Sequence, residues 1–262
     1  VEQTFANPDG SSTTVIVGWN PPPPMPPMLV GSNRKPVDLI RYPDWAYLRV
    51  FGATGRGIPS IASLPRQITP HVSFKDAPTV ALLDPWLAAL DRDVYLTWHH
   101  EPEGDLSPAD YQAGWHQLGA IVGESSPHVT LVEVFTLYAQ THGKTPWDQL
   151  WSGQAQAIGF DCYNTVVAKT GYPDPEAFFA PLTDAAASLA VPLLVPELGT
   201  RIAVDDSAGY GAAGWYRDCA AYLLRRRDCR AVAVWDQMGA NSVDWTLTGK
   251  PLTAWQNVVA GR

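Results

Sequence analysis

The chain has 262 residues, a net charge of −8 at neutral pH, 46% hydrophobic residues and only 17% charged ones. That length suffices for one domain with a sizeable core, and no apolar run approaches the roughly 18 residues of a membrane span. The acidic balance, with no basic stripe to offset it, opposes binding to nucleic-acid phosphates. Arg225, Arg226 and Arg227 form a short cluster at the end of a predicted helix, where they complement its dipole.

Residues 1–13, polar and rich in Ser, Thr and Asn, read as a frayed tail or cap, and 14–262 as a single domain. Eight short apolar segments then recur: Thr14–Trp19, Ala46–Phe51, His71–Lys75, Val94–Trp98, Val129–Phe135, Ala157–Tyr163, Pro192–Pro196 and Ala231–Trp235. Their starts lie 23 to 39 residues apart, the length of a strand, a loop and a helix. Such runs read as parallel strands covered on both faces. Pro21–Pro27 follows the first of them and reads as a stiff polyproline loop on the rim. Helical spacing marks Pro78–Leu90, Pro108–Val122, Pro175–Ala190 (with Pro181 expected to kink or restart it) and Gly214–Arg226.

This alternation predicts an α/β fold of the (β/α)8 TIM-barrel type. A doubly wound sheet is the competitor, but Gly18 is followed by WNPPPPMPP rather than a Gly-rich phosphate loop. Of the three cysteines, Cys162, Cys219 and Cys229, at least one is a free thiol. A Cys219–Cys229 disulfide across a helix-to-strand connection stays open and would suit a secreted protein. The chain opens on Val1, which fits a processed mature protein or a domain cut from a longer one. A monomer is expected. Eleven Trp and ten Tyr are a high load, assigned in about equal parts to sugar platforms and to core filling.

Catalytic groups of such barrels sit at the C-terminal ends of strands. Two carboxylates directly follow apolar runs there: Glu101, in VYLTWHHEPEG after the fourth segment, and Glu197, in PLLVPELG after the seventh. A carboxylate so placed is costly unless paired, hydrated or functional. One carboxyl to protonate a leaving oxygen and one to attack or to activate water is the requirement of glycoside hydrolysis. Glu103 is a rival acid, and Glu133, in mid-strand, has no account beyond a buried pair with Arg or His.

Acid/base on strand 4 and nucleophile on strand 7 resemble the clan of retaining β-glycanase barrels, whose usual acid motif is Asn-Glu-Pro. Here it is His100-Glu101-Pro102, the variant of glycoside hydrolase family 26, and IGFDCYN, PELGT and AVAVW are similar to that family too. The resemblance implies Glu101 as acid/base and Glu197 as nucleophile. It places His100 near the 2-hydroxyl or the nucleophile, Tyr163 as donor to the nucleophile, Trp235 as sugar platform and Arg49 beside the nucleophile. Trp98 and His99 flank the acid and are candidates to line the cleft, although Trp98 suits the barrel core equally. Asn164 is expected to face the cleft more than Asp161. Lys75, Asp76, Asp236 and Gln237 are further candidates for sugar hydrogen bonds. The expected activity is retaining hydrolysis of a β-linked polysaccharide, by preference an endo-β-1,4-mannanase. The alternatives are another glycan (β-1,3-xylan, mixed-linkage glucan or a bacterial cell-wall glycan) and a non-catalytic carbohydrate-binding barrel. No cofactor and no metal are implied: adjacent His99 and His100 on a strand would point to opposite faces. No Gly-x-Ser-x-Gly elbow marks a serine hydrolase.

Overall fold

The computed structural model of the chain describes residues 2–6, 12–16, 29–32, 46–52, 54–123, 126–142, 144–165, 171–237 and 243–261. β1 (Glu2–Ala6) and β2 (Ser12–Ile16) pair antiparallel as a separate two-stranded sheet. Eight parallel strands then close a barrel in chain order: β3 (Leu29–Ser32), β4 (Tyr47–Phe51), β5 (Thr69–Phe74), β6 (Val94–Trp98), β7 (Val129–Thr136), β8 (Ala157–Asn164), β9 (Leu193–Thr200) and β10 (Cys229–Val234), which returns to pair with β3. The expected TIM barrel is the fold.

Seven of the eight predicted strands form barrel strands. Thr14–Trp19 does not: its first residues belong to the β1–β2 sheet, and LVGS at Leu29–Ser32 opens the barrel. The β-branched run TVIV carries the stronger local signal, but such propensity serves an antiparallel pair as well as a barrel strand. Pro21–Pro27 lies outside the described residues. Because one first strand replaces another, β6 remains the barrel's fourth strand and β9 its seventh.

The outer layer holds α1 (Val80–Ala88), α2 (Pro108–Val122), α3 (Leu137–Thr141), α4 (Trp147–Leu150), α5 (Pro175–Leu189), α6 (Tyr210–Arg225) and α7 (Gly249–Val259). In α2 the Ser107 hydroxyl caps the first turn by accepting from the Asp110 amide, and Pro108 sits where no N–H is needed. Tyr111, Trp115, Leu118 and Val122 then recur at helical spacing and are buried against the barrel. α5 continues through Pro181 rather than restarting there; its buried face (Phe179, Leu182, Ala185, Ala186) holds the helix where local preference would break it. Residues 52–68, between β4 and β5, contain no helix among the described residues, so alternation is incomplete there.

Period-two alternation divides the core. Tyr47, Val132, Val134, Ala157, Leu194, Ala231 and Ala233 fill the barrel interior, while Leu48, Val72, Leu96, Leu131, Ile158 and Val195 meet the helices. Cys162, Cys219 and Cys229 are three separate buried thiols, so the Cys219–Cys229 bridge does not form. Glu133 points outward beneath the helices, where it accepts from the Ser152 amide and hydroxyl rather than from an Arg or His. Burial pushes its pKa up to about 8 against the pull of those bonds.

Candidate active site

The polar part of the barrel interior is built in tiers. In the lower tier, Tyr47 bonds through its hydroxyl to His71 Nδ1, and His71 Nε2 lies 2.7 Å from Thr97 Oγ1. Thr97 donates its own proton to the Val132 carbonyl at 2.7 Å. That carbonyl can only accept, so Thr97 must accept from His71 Nε2–H, and His71 Nδ1 must accept from Tyr47. The chain therefore dictates one neutral tautomer, and burial, with Arg49 nearby, holds the His71 pKa well below its usual value.

Above it lies Arg49, 1% exposed. One guanidinium nitrogen donates to both Asp161 Oδ1 at 2.6 Å and Glu197 Oε1 at 2.7 Å. Tyr163 donates to the other Glu197 oxygen, Oε2. Oxygens of Glu101, Asp161 and Glu197 all lie within 4.8 Å of one another. Three carboxyls share a buried site with one cation, so full ionisation would leave two uncompensated negative charges. Protons stay instead. Burial raises Glu101, raises Asp161 well above the carboxylate range, and pushes Glu197 up to about 7; Arg49 opposes all three. Asp161 Oδ2 is buried with no hydrogen-bond partner among the described residues. Such a triple of oxygens has the spacing of a metal site, but Arg49 already supplies positive charge to two of its members.

Two backbone irregularities aim the outer carboxylates. β9 carries an extra residue at this level: Gly159 pairs with Leu194 but Asp161 with Glu197, and on the other side Val232 pairs with Val195 but Val234 with Leu198, while β10 has an extra residue of its own earlier, between Cys229 and Ala231. The unpaired residue common to both sides is Pro196, which has no N–H to contribute to a ladder and so belongs at a bulge. Strict alternation from inward Leu194 would turn Glu197 toward the helices; the extra residue turns it inward. Gly159 leaves room, since a Cβ there would come within 2.9 Å of Val134 and 3.2 Å of Pro196. At the end of β6, His99 and Glu101 adopt left-handed backbone (φ 47° and 52°), a conformation that costs non-glycine residues energy and clusters at functional sites. The Glu101 amide is fixed to the Val134 carbonyl at 2.9 Å.

These groups open into a cavity of about 530 Å³, also lined by Phe51, His100, Trp235 and Trp245. His100 is neutral, its pKa held well below the usual value by burial and by Arg49, and its ring meets Phe51 edge-on at 5.2 Å. Phe51 likewise meets Trp235 at 5.7 Å, and Trp245 packs on Tyr163 at 4.8 Å. The buried indole N–H of Trp235 and Nδ1 of His100 have no hydrogen-bond partner among the described residues.

The structure thus brings together Glu101, Glu197, His100, Tyr163, Trp235 and Arg49, and adds Lys75 at the edge. Trp98 sits apart: its ring stacks on Tyr111, its N–H bonds to the Asp76 carbonyl, and Gly114 of α2 lies against it. His99 turns out of the cavity lining to meet Asp105 at 3.3 Å. Asn164 points behind the sheet, bonded to the Gly171 carbonyl and Thr200, and its neighbour Asp161 takes the inward place. Asp76 accepts from the Gly55 and Gly57 amides, and Asp236 from the Leu247 amide; both fasten loops. Of the Trp residues described, Trp235 and Trp245 line the cavity while Trp98, Trp115, Trp215 and Trp255 are core, fewer platforms than the composition suggested. Asp161 shares a face with Tyr163 at i, i+2, a signal the alternation carries. Phe51 ends an apolar run, Trp245 comes from a loop without period, and Tyr138 from a helix too short to show one.

No family model matches the chain, and no curated protein matches it in sequence. Solved structures match the fold. An oligosaccharide-binding protein of glycoside hydrolase family 128 (subgroup VII) from Trichoderma gamsii is 13% identical, with TM-score 0.63 over 89% of this chain and 94% of its own. A family 128 (subgroup II) endo-β-1,3-glucanase from Sorangium cellulosum is 15% identical, with TM-score 0.63 over 88% and 97%. A family 26 β-mannanase from Bacteroides ovatus is 12% identical, with TM-score 0.59 over 89% and 88%. What the chain shares with these structures is the barrel fold.

Proposed function

We propose that the chain is a retaining hydrolase of a β-linked glycan. The observation that carries this reading is the Glu197 carboxylate, held between Arg49 and Tyr163, with a Glu101 oxygen within 4.8 Å of one of its own. Attack by a carboxylate calls for carboxyls about 5 to 5.5 Å apart, whereas inversion leaves room for a water at about 6.5 to 9.5 Å. Oxygens within 4.8 Å of one another are compatible with the retaining arrangement, which the motif resemblance favours.

Glu197, ionised and oriented by its two donors, attacks the anomeric carbon while Glu101 gives its proton to the departing oxygen. Glu101 then takes a proton from the water that cleaves the glycosyl–Glu197 ester. Asp161, paired with Arg49, lies within 4.8 Å of both carboxyls. Trp235 offers a ring face to the sugar in the cavity, which His100 also lines. Activity needs Glu197 deprotonated and Glu101 protonated, so a bell-shaped pH profile is expected, its acidic limb set by Glu197 at about 7.

Mannan is the substrate implied by the family 26 resemblance, and the neighbours named as endo-β-1,3-glucanases add β-1,3-glucan. The test is reducing-end release from mannan, β-1,3-glucan, β-1,3-xylan and mixed-linkage glucan by wild type and Glu197→Ala. Cleavage of one glycan with a loss of about a thousandfold in the variant supports the assignment; equal activity of the two proteins defeats it. A second reading is a silent carbohydrate-binding barrel, favoured by the oligosaccharide-binding neighbour of the same fold. Binding of an oligosaccharide with no turnover would select it.

A further inference from the structure

The two sides of the cavity differ in character. Phe51, Tyr163, Trp235 and Trp245, from the ends of β4, β8 and β10, make the Glu197 side aromatic. The ends of β5, β6 and β7 supply Lys75, Glu103, Asp105, Thr136, Tyr138 and Lys144, with one aromatic among them. Glu103 is 8% exposed. Its Oε1 accepts from the Thr136 amide at 2.7 Å, while the buried Oε2 has no partner. Thr136 also caps α3, accepting from the Ala139 amide at 3.0 Å, so Glu103 anchors the start of the helix that carries Tyr138. The Tyr138 ring is 45% exposed and lies flat on His142, centroids 4.0 Å apart and planes 11° apart, with the Lys144 ammonium 5.9 Å from its centroid.

We propose that α3 forms the site for the departing part of the glycan, Tyr138 stacking on a pyranose and Glu103 positioning the helix through Thr136. This rests on the hydrolase reading. Glu101 must reach the leaving oxygen, so the departing sugar lies on the Glu101 side, where an exposed ring backed by an imidazole offers a flat and rigid surface. Lys75 is already bonded to Asp105 at 3.0 Å.

The test compares wild type, Tyr138→Ala and Glu103→Ala on laminaripentaose and mannopentaose, each against the 2,4-dinitrophenyl β-glycoside of the matching disaccharide, whose leaving group is not a sugar. Each variant is expected to lower the ratio of kcat/KM for pentaose over aryl glycoside about tenfold or more, and Tyr138→Phe to restore it. An unchanged ratio overturns the proposal while leaving hydrolysis in place, because a structural loss lowers both substrates together. Binding of a pentaose without turnover, weakened tenfold by Tyr138→Ala in calorimetry, keeps the sugar site and overturns hydrolysis alone. Neither turnover nor binding removes both.

Discussion

Replacing Arg49 by Met removes the cation from the carboxyl cluster while keeping an unbranched apolar stem of similar reach. The lost contacts are at 2.6 Å to Asp161 and 2.7 Å to Glu197. Unit charges about 4 Å apart at an effective dielectric constant near 20 interact by about 4 kcal/mol. At about 1.4 kcal/mol per pKa unit that is about three units, the upper end of the one to three that a single neighbouring charge produces. Glu197, already pushed up to about 7 by burial, must rise further in the variant. The sign follows: an acid whose pKa rises holds its proton to higher pH, so the acidic limb of kcat/KM moves upward by about one to three pH units. At pH 7 the ionised nucleophile becomes correspondingly scarcer. The assay is kcat/KM from pH 5 to 10 for wild type, Arg49→Met and Arg49→Lys, on the glycan found by the panel. The Lys variant should lie between the others, because its point charge cannot serve both carboxylates in the guanidinium's geometry. A Met variant whose limb stays where wild type has it, with only a lower plateau, would refute the reasoning and leave Arg49 as a positioning group.

Glu133→Gln should raise thermal stability at pH 8 by a few degrees and change it little at pH 4.5. In the folded chain Glu133 titrates at about 8, far above its usual value, so the stability that its neutral form supplies is complete at low pH and drains away as pH rises through that range; equal melting shifts at both pH values would count against this. Gly114→Ala should destabilise by roughly 1 to 3 kcal/mol or more in denaturant titration, since a Cβ there would lie 2.0 Å from the Trp98 ring. A neutral result would mean that α2 shifts freely from β6.

The legible parts of the fold were those whose signal is local. β4 to β10 are apolar runs bounded by turn residues, and α2 declares itself by Ser107, Pro108 and its buried stripe. β3 is four residues with a glycine, and its identity as a barrel strand rests on pairing with β10 and β4, which no local pattern carries. In the site, Glu101 and Glu197 were legible as carboxylates ending apolar runs. Asp161 was underrated although it must face wherever Tyr163 faces, and the same alternation sends Asn164 to the other side. Trp98 follows inward Thr97 and is therefore outward, a core residue by parity. Trp245 and Tyr138 reach the cavity from connections whose course depends on tertiary packing.

The bulge in β9 has a genetic corollary. Losing a single codon from a strand normally exchanges its two faces from that point on. Here removal of Pro196 would leave Leu194 and Glu197 on the inner face and Val195 and Leu198 on the outer one, because the surplus residue alone disappears. Strand length and the placement of Glu197 are therefore uncoupled at this position. A sequence alignment that allows no one-residue gap inside this strand sets Glu197 against an apolar position of a chain that lacks the bulge.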